Sequence, residues 1–219
     1  MRIVPPSFAR ASLVDERGIT LVEVMIATAI LGIVMLVFTT TLASMQQAVV
    51  AEDVRNRLND QARLALADLD RQVRSGNLLY DPALETEVVE PFGVDAESFM
   101  FRVYTQTKYQ ETDKPRCALW LIDDDRRLLY RHWPVEDPDD PDASDWRVVA
   151  EGVVNRETGT PAFALDPAGR TVTVTIEANA DLDHDPTATQ SFSASLTGRN
   201  TSFGYPSNVC QDLPSDMTA

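Results

Sequence analysis

From Ile19 to Met45 the chain is apolar on every side, and Glu23 is the one ionisable side chain in the run. No proline appears from Ile19 to Asp81, so the pattern predicts one helix whose two halves differ in character. The first half reads as a membrane span, because an all-round apolar helix of this length matches a bilayer core. In the second half Val54, Leu58, Ala62, Ala65, Leu69 and Val73 recur at spacings of three and four, with Arg55, Asn59, Arg63, Asp70 and Arg74 between them. That spacing predicts an amphipathic helix with a buried stripe. Continuous from Ile19 to Arg74, it would be about 84 Å long at 1.5 Å per residue. Gly76 is the expected C-cap, and Pro82 bars resumption.

Beyond Pro82 the period becomes two. Phe99, Phe101 and Val103 alternate with Met100, Arg102 and Tyr104, Val172, Val174 and Ile176 with threonines, and Phe192, Ala194 and Leu196 with serines. Strands buried on one face are expected. Cys117–Ile122 and Arg127–Trp133 flank a polar turn at 123–126 and read as a hairpin, and 146–154 adds a further strand. The fold class is α+β: a long N-terminal helix packed on a mostly antiparallel sheet. The expected segments are a leader 1–18, an apolar helix 19–45, its amphipathic continuation 46–76 and a β-sheet domain 77–219.

A charged leader ending at Gly18, then Ile19-Thr20-Leu21-Val22-Glu23 and the apolar run, resembles the signal of type IV pilins and type II secretion pseudopilins. The resemblance implies cleavage after Gly18 by a prepilin peptidase and methylation of the new amino terminus at Ile19. Glu23 then falls at the fifth mature position, where the family has its glutamate. Ile19 replaces the more usual phenylalanine. A carboxylate at the centre of a bilayer costs about 2.5 to 3.5 kcal/mol, so it calls for a partner. The neighbouring subunit's N-terminal ammonium would supply one in a filament. A secretory signal is disfavoured, because Ala27-Thr28-Ala29 lies inside the apolar run rather than after it. A plain anchor explains the length of the run but not the glutamate.

Leu129-Tyr130-Arg131 leads through an acidic Pro-rich loop to Val148-Val149-Ala150-Glu151-Gly152-Val153-Val154 and then to the strand Thr171 to Glu177, and in this order the second half of the chain is similar to the J-type minor pseudopilins. This resemblance implies a subunit at or near a filament tip that primes assembly of a pseudopilus or pilus. Its implied partners are the prepilin peptidase, other pilin-like subunits, the inner-membrane assembly platform and the membrane itself. The alternatives are an adhesive or DNA-uptake tip pilin and a single-pass anchored domain that never polymerises. Many pilins carry proline where this chain has Thr40. The run Thr39-Thr40-Thr41 is either a soft point or a set of hydroxyls facing neighbours, the second being favoured.

Net charge narrows the partners. At −15 the chain has no basic surplus for phosphates, so direct nucleic-acid binding is not expected. Arg2, Arg10 and Arg17 precede the apolar run, and Glu52 and Asp53 follow it. A single pass through the cytoplasmic membrane is therefore expected, with the N-terminus in the cytoplasm and the acidic bulk outside, before passage into a pilus or pseudopilus.

Cys117 and Cys210 would share that external compartment, where disulfides persist. A bridge tying the tail to a central strand is favoured over two unpaired thiols. A zinc site is weaker, since His132 and His184 have no ligand spacing. Asp181, Asp183 and Asp185 open like a calcium loop, but Pro186 stands where glycine is needed and Phe192 where the closing glutamate belongs. The run Glu136–Asp142, rich in Asp and Pro, reads as a solvated loop. No nucleophile, base and oxyanion set emerges, so neither enzymatic activity nor a cofactor is expected.

Overall fold

The computed structural model of the chain describes residues 18–85, 88–89, 92, 94–95, 98–106, 114–183, 185–198, 201 and 206–217. Leader residues Arg2, Arg10 and Arg17 and the histidine at 184 lie outside them. Two compact units are present, Met1–Val50 and Ala51–Ala219. Helix α1, Leu21–Ser75, belongs in part to each.

In the first unit the described residues form α1 as far as Val50, and its apolar side chains face outward all round, among them Val22, Ile26, Leu31, Met35 and Phe38. Its hydroxyls are turned back on the helix. Thr28 donates to the Val24 carbonyl at 3.0 Å, Thr39 to Met35 at 2.9 Å, Thr40 and Thr41 to Val37 at 2.9 and 2.8 Å, and Ser44 to Thr41 at 2.8 Å. Such bonds leave little unmet polarity on a helix surrounded by hydrocarbon. The helix continues without interruption through Thr39–Thr41.

In the second unit α1 buries Ala62, Ala65, Leu69 and Val73. Val54 remains exposed and Leu58 half-buried, so the expected stripe is dry only over its last three turns. The strands are β1 (Leu78–Leu79), β2 (Val88–Val89), β3 (Val94–Asp95), β4 (Met100–Thr105), β5 (Arg116–Ile122), β6 (Arg127–Pro134) and β7 (Arg147–Glu151), then β8 (Phe163–Leu165), β9 (Thr171–Ala178) and β10 (Gln190–Thr197). A short helix α2, Asn155–Thr158, lies between β7 and β8. The sheets run β1-β4-β5-β6-β7, β10-β9-β8 and β2-β3, and every pair is antiparallel. This is the α+β arrangement of a long helix packed on antiparallel sheets.

Register explains the core. Phe101, Trp120 and Tyr130 lie side by side across β4, β5 and β6. They join the α1 stripe, Phe163 and the apolar face of β9 in one cluster. The five-stranded sheet is not one-faced as the alternation suggested. Its other face carries Met100, Tyr104, Cys117, Leu119, Leu121 and Trp133, all buried. The C-terminal segment covers this face with Cys210 and Met217, both wholly buried. Alternation of apolar and polar residues fails there because the cover comes from distant chain rather than from water.

That cover is fastened by polar groups. Arg102 forms a fork to Glu85, Nε to Oε1 at 2.8 Å and Nη2 to Oε2 at 2.6 Å, and its Nη1 donates to the Cys210 carbonyl at 2.9 Å. A buried ion pair is tolerable when its geometry is bidentate and its remaining groups are bonded. The Cys210 N–H donates to the Tyr80 hydroxyl at 2.9 Å, and Arg131 holds Asp216 at 2.8 Å. The Glu136–Asp142 loop is largely exposed, as its composition suggested, but it is tethered at two points. Lys114 pairs with Asp140 at 2.7 Å, and the Ser215 N–H donates to Asp139 at 2.7 Å. The Lys114 ammonium holds the Asp140 carboxyl below its ordinary value.

Gly76 follows the helix but not as a left-handed cap, since the glycines with positive φ are Gly152, Gly159 and Gly169. Its role is close approach, because a Cβ there would sit 2.7 Å from Val103 Cγ1. The hairpin between β5 and β6 forms as expected, closed by the Asp123 N–H on the Arg127 carbonyl at 3.0 Å, with Arg126 in the left-handed region at φ 62°.

Two outcomes follow from this packing. Replacing Cys210 by Ala should lower stability by about 2 to 5 kcal/mol and make the segment 206–217 the first site of limited proteolysis, measured by denaturant melts and mass mapping. Burial, with the Arg116 and Arg147 cations adding, pushes the His132 imidazole below its ordinary 6.5. The unfolded chain then binds a proton that the folded chain resists, so this contribution is complete above pH 6.5 and declines as pH falls through the folded value. An imidazole titration by NMR should place His132 below 6.5, and a value above it contradicts the packing.

Candidate functional site

Gly18, Ile19 and Thr20 precede the helix in non-helical conformation and are exposed. Among the described residues, its chain neighbours aside, no heavy atom lies within 4 Å of a Cβ placed on Gly18. A peptidase needs an extended, accessible bond, and the Gly18–Ile19 bond stands immediately outside the helical ladder. Ile19 itself is 75% exposed.

Helix α1 starts because Thr20 caps it. The Thr20 hydroxyl accepts the Glu23 N–H at 3.2 Å, and the Thr20 carbonyl accepts the N–H groups of Glu23 and Val24 at 3.0 and 3.2 Å. This Thr-x-x-Glu spacing is the sequence form of a capping box, a local role for Thr20 that the sequence expectations did not include. Glu23 lies in the first turn of α1, where the unpaired N–H groups of the helix favour negative charge. Both effects are local and draw on no residue before Thr20. The carboxylate is thus compatible with the isolated helix end. The next ionisable side chain along the chain is Glu52.

The remaining site residues fall in the second unit. Cys117 on β5, the middle strand of its sheet, and Cys210 in the tail are joined in a disulfide with their Cα atoms 5.8 Å apart. Closing a loop across a sequence separation of 93 corresponds to about 4.5 kcal/mol in the chain-entropy description. Asp181, Asp183 and Asp185 do not converge. Arg126 Nη2 lies 3.2 Å from Asp183 Oδ1, and Arg55 lies 3.7 Å from Asp185. Asp185 also accepts the Thr187 hydroxyl at 2.6 Å, the main cause of its lowered pKa. No group of three or more metal-capable side chains forms among the described residues.

What sequence reasoning missed in this unit is the network of Glu85, Arg102, Tyr80 and the Cys210 main chain. Its only sequence trace is Arg102 in the middle of a strand otherwise rich in apolar residues.

Residues 14–39 match the family described as the prokaryotic N-terminal methylation motif. No curated protein and no solved structure matches the chain. Among the described residues one helix, α1, is long and apolar enough to cross a membrane.

The cap generates a direct expectation. Thr20→Val should cost the helix start about 1 kcal/mol and speed amide exchange at Glu23 in detergent micelles, while leaving exchange at Val34 unchanged. Unchanged exchange at Glu23 would contradict the capping role.

Proposed function

We propose that this protein is a structural subunit of the type IV pilin and pseudopilin kind, cut after Gly18, methylated at Ile19 and taken from the membrane into a filament. The observation that carries the reading is the joint placement of an exposed, non-helical Gly18–Ile19 bond, a capped apolar helix, and Glu23 at the fifth mature position. The match of residues 14–39 to the methylation motif supports it.

The apolar helix exchanges lipid for similar helices of other subunits, so its apolar surface alone gives no large preference for the filament. Charge decides the balance. Glu23 of one subunit pairs with the N-terminal ammonium of another, and the pair forms only after the leader has been removed. The prepilin peptidase, an inner-membrane assembly platform and other pilin-like subunits are the partners. The N-terminus lies in the cytoplasm and the β-sheet unit outside, where the Cys117–Cys210 bridge persists.

The J-type assignment, with a tip position and a priming role, extends this reading. It is favoured over an adhesive tip by the surface of the second unit. Every described aromatic of residues 51–219 is buried or half-buried, so the described residues offer no exposed aromatic face to a foreign ligand. A non-catalytic role is part of the same reading.

Glu23→Gln keeps the size of the side chain and removes its charge. The variant should be cleaved and should accumulate in the membrane, yet its recovery in sheared filament or pseudopilus fractions should fall by about tenfold or more, a loss of at least 1.4 kcal/mol of pairing. Wild-type recovery would sink the assembly role and favour a plain anchor.

A further inference from the structure

The two larger sheets end in four edges, and the chain treats them unequally. β1 is two residues long. On β7 the Glu151 N–H is met by Gln61 Oε1 of α1 at 3.0 Å. β8 is three residues long, and the Phe163 N–H at its start is taken by the Ser98 carbonyl at 3.1 Å. β10 runs eight residues, Gln-Ser-Phe-Ser-Ala-Ser-Leu-Thr, with no charge, proline or glycine. Natural sheets blunt long edges with those very devices, because an open ladder is a template for another strand.

Hydrogen bonding fixes which groups of β10 are open. The Thr175 N–H donates to the Ala162 carbonyl at 2.8 Å and the Glu177 N–H to Asn155 Oδ1 at 2.8 Å, so odd-numbered residues of β9 turn their main chain toward β8 and α2. Even-numbered ones therefore bond to β10, and the register sets Val172, Val174 and Ile176 opposite Leu196, Ala194 and Phe192. The Gly198 N–H on the Arg170 carbonyl at 2.8 Å continues that parity. Ser191, Ser193, Ser195 and Thr197 consequently direct their N–H and C=O groups away from β9. None of those main-chain groups has a partner among the described residues.

We propose that the β10 edge receives an added strand, an extended segment of a different polypeptide that alternates apolar and polar residues and carries basic residues at its ends. Main-chain bonds to Ser191, Ser193 and Ser195 supply the affinity, and the two faces of β10 supply the choice of side chains. Phe192 and Ala194 are half-buried against the core. Apolar residues of the incoming strand complete their cover, while its polar residues lie beside the exposed serines, which are too small to obstruct it. Charge selects the occupant. A second copy would bring together two chains of net charge −15, and exposed Asp181 and Asp183 stand in the turn that leads into β10. A basic-flanked segment is attracted by the same field that repels a copy. The inference rests on the β unit and is independent of how the N-terminal helix is used.

The test uses the full chain in detergent micelles and a short peptide of alternating threonine and valine, about as long as β10, with lysine at each end. Addition of the peptide should slow amide exchange at Ser191, Ser193 and Ser195. The same core with glutamate at each end should bind more weakly by about tenfold. Ser193→Pro should fold, because that N–H gives no ladder bond, and should abolish the protection. Ser193→Lys provides a second blocked edge and should weaken the lysine-ended peptide. Three results would overturn the proposal: no slowing at these amides, equal binding by both variants, or equal binding of the glutamate-ended peptide. Protection that rises with protein concentration alone would replace the proposed occupant with a second copy.

Discussion

Glu23 occupies the first turn of an apolar helix with no further ionisable side chain before Glu52, and the charge has two kinds of support available. Inside the chain, the helix end favours a negative group in its first turn. That local effect is worth about 1 kcal/mol at most, less than the 2.5 to 3.5 kcal/mol that deep burial in lipid costs a carboxylate. Outside the chain, on the proposed function, the freshly exposed ammonium of another subunit would neutralise it. The difference between the two supports would make the same residue tolerable in a membrane-held protomer and better satisfied in an assembly.

On the proposed function, processing and assembly are linked by chemistry rather than by sequence adjacency alone. A cut at the Gly18–Ile19 bond would create the cation that the glutamate lacks, so an unprocessed subunit would have the acid but not the base. The cap residue Thr20 lies beyond that bond, so helix α1 would keep its start. The β unit is held by separate means. Its five-stranded sheet is dry on both faces, one under α1 and the other under a tail fixed by the disulfide, the Arg102 fork and Met217.

Much of this was legible from the residue pattern, and the exceptions share a cause. The helix, the hairpin at 123–126 and the alternating strands follow from periodicity, which is a local property. The second buried face of the sheet was not legible, because what covers it is a segment about a hundred residues away in sequence. Arg102 looked like an exposed strand residue for the same reason, since Glu85 and the Cys210 carbonyl are brought to it only by tertiary contact. The position of Gly76 suggests a cap, whereas its close approach to Val103 is invisible until the helix lies on β4. In the N-terminal segment the Thr-x-x-Glu cap is a purely local signal and is legible in the sequence.

The most direct check is the mass of the exported polypeptide's first peptide. A chain beginning at Ile19 and heavier by one methyl group is the outcome this account requires. A chain still bearing its first eighteen residues, or cut within the apolar run, would contradict it, because the ammonium that answers Glu23 would not exist where the account places it.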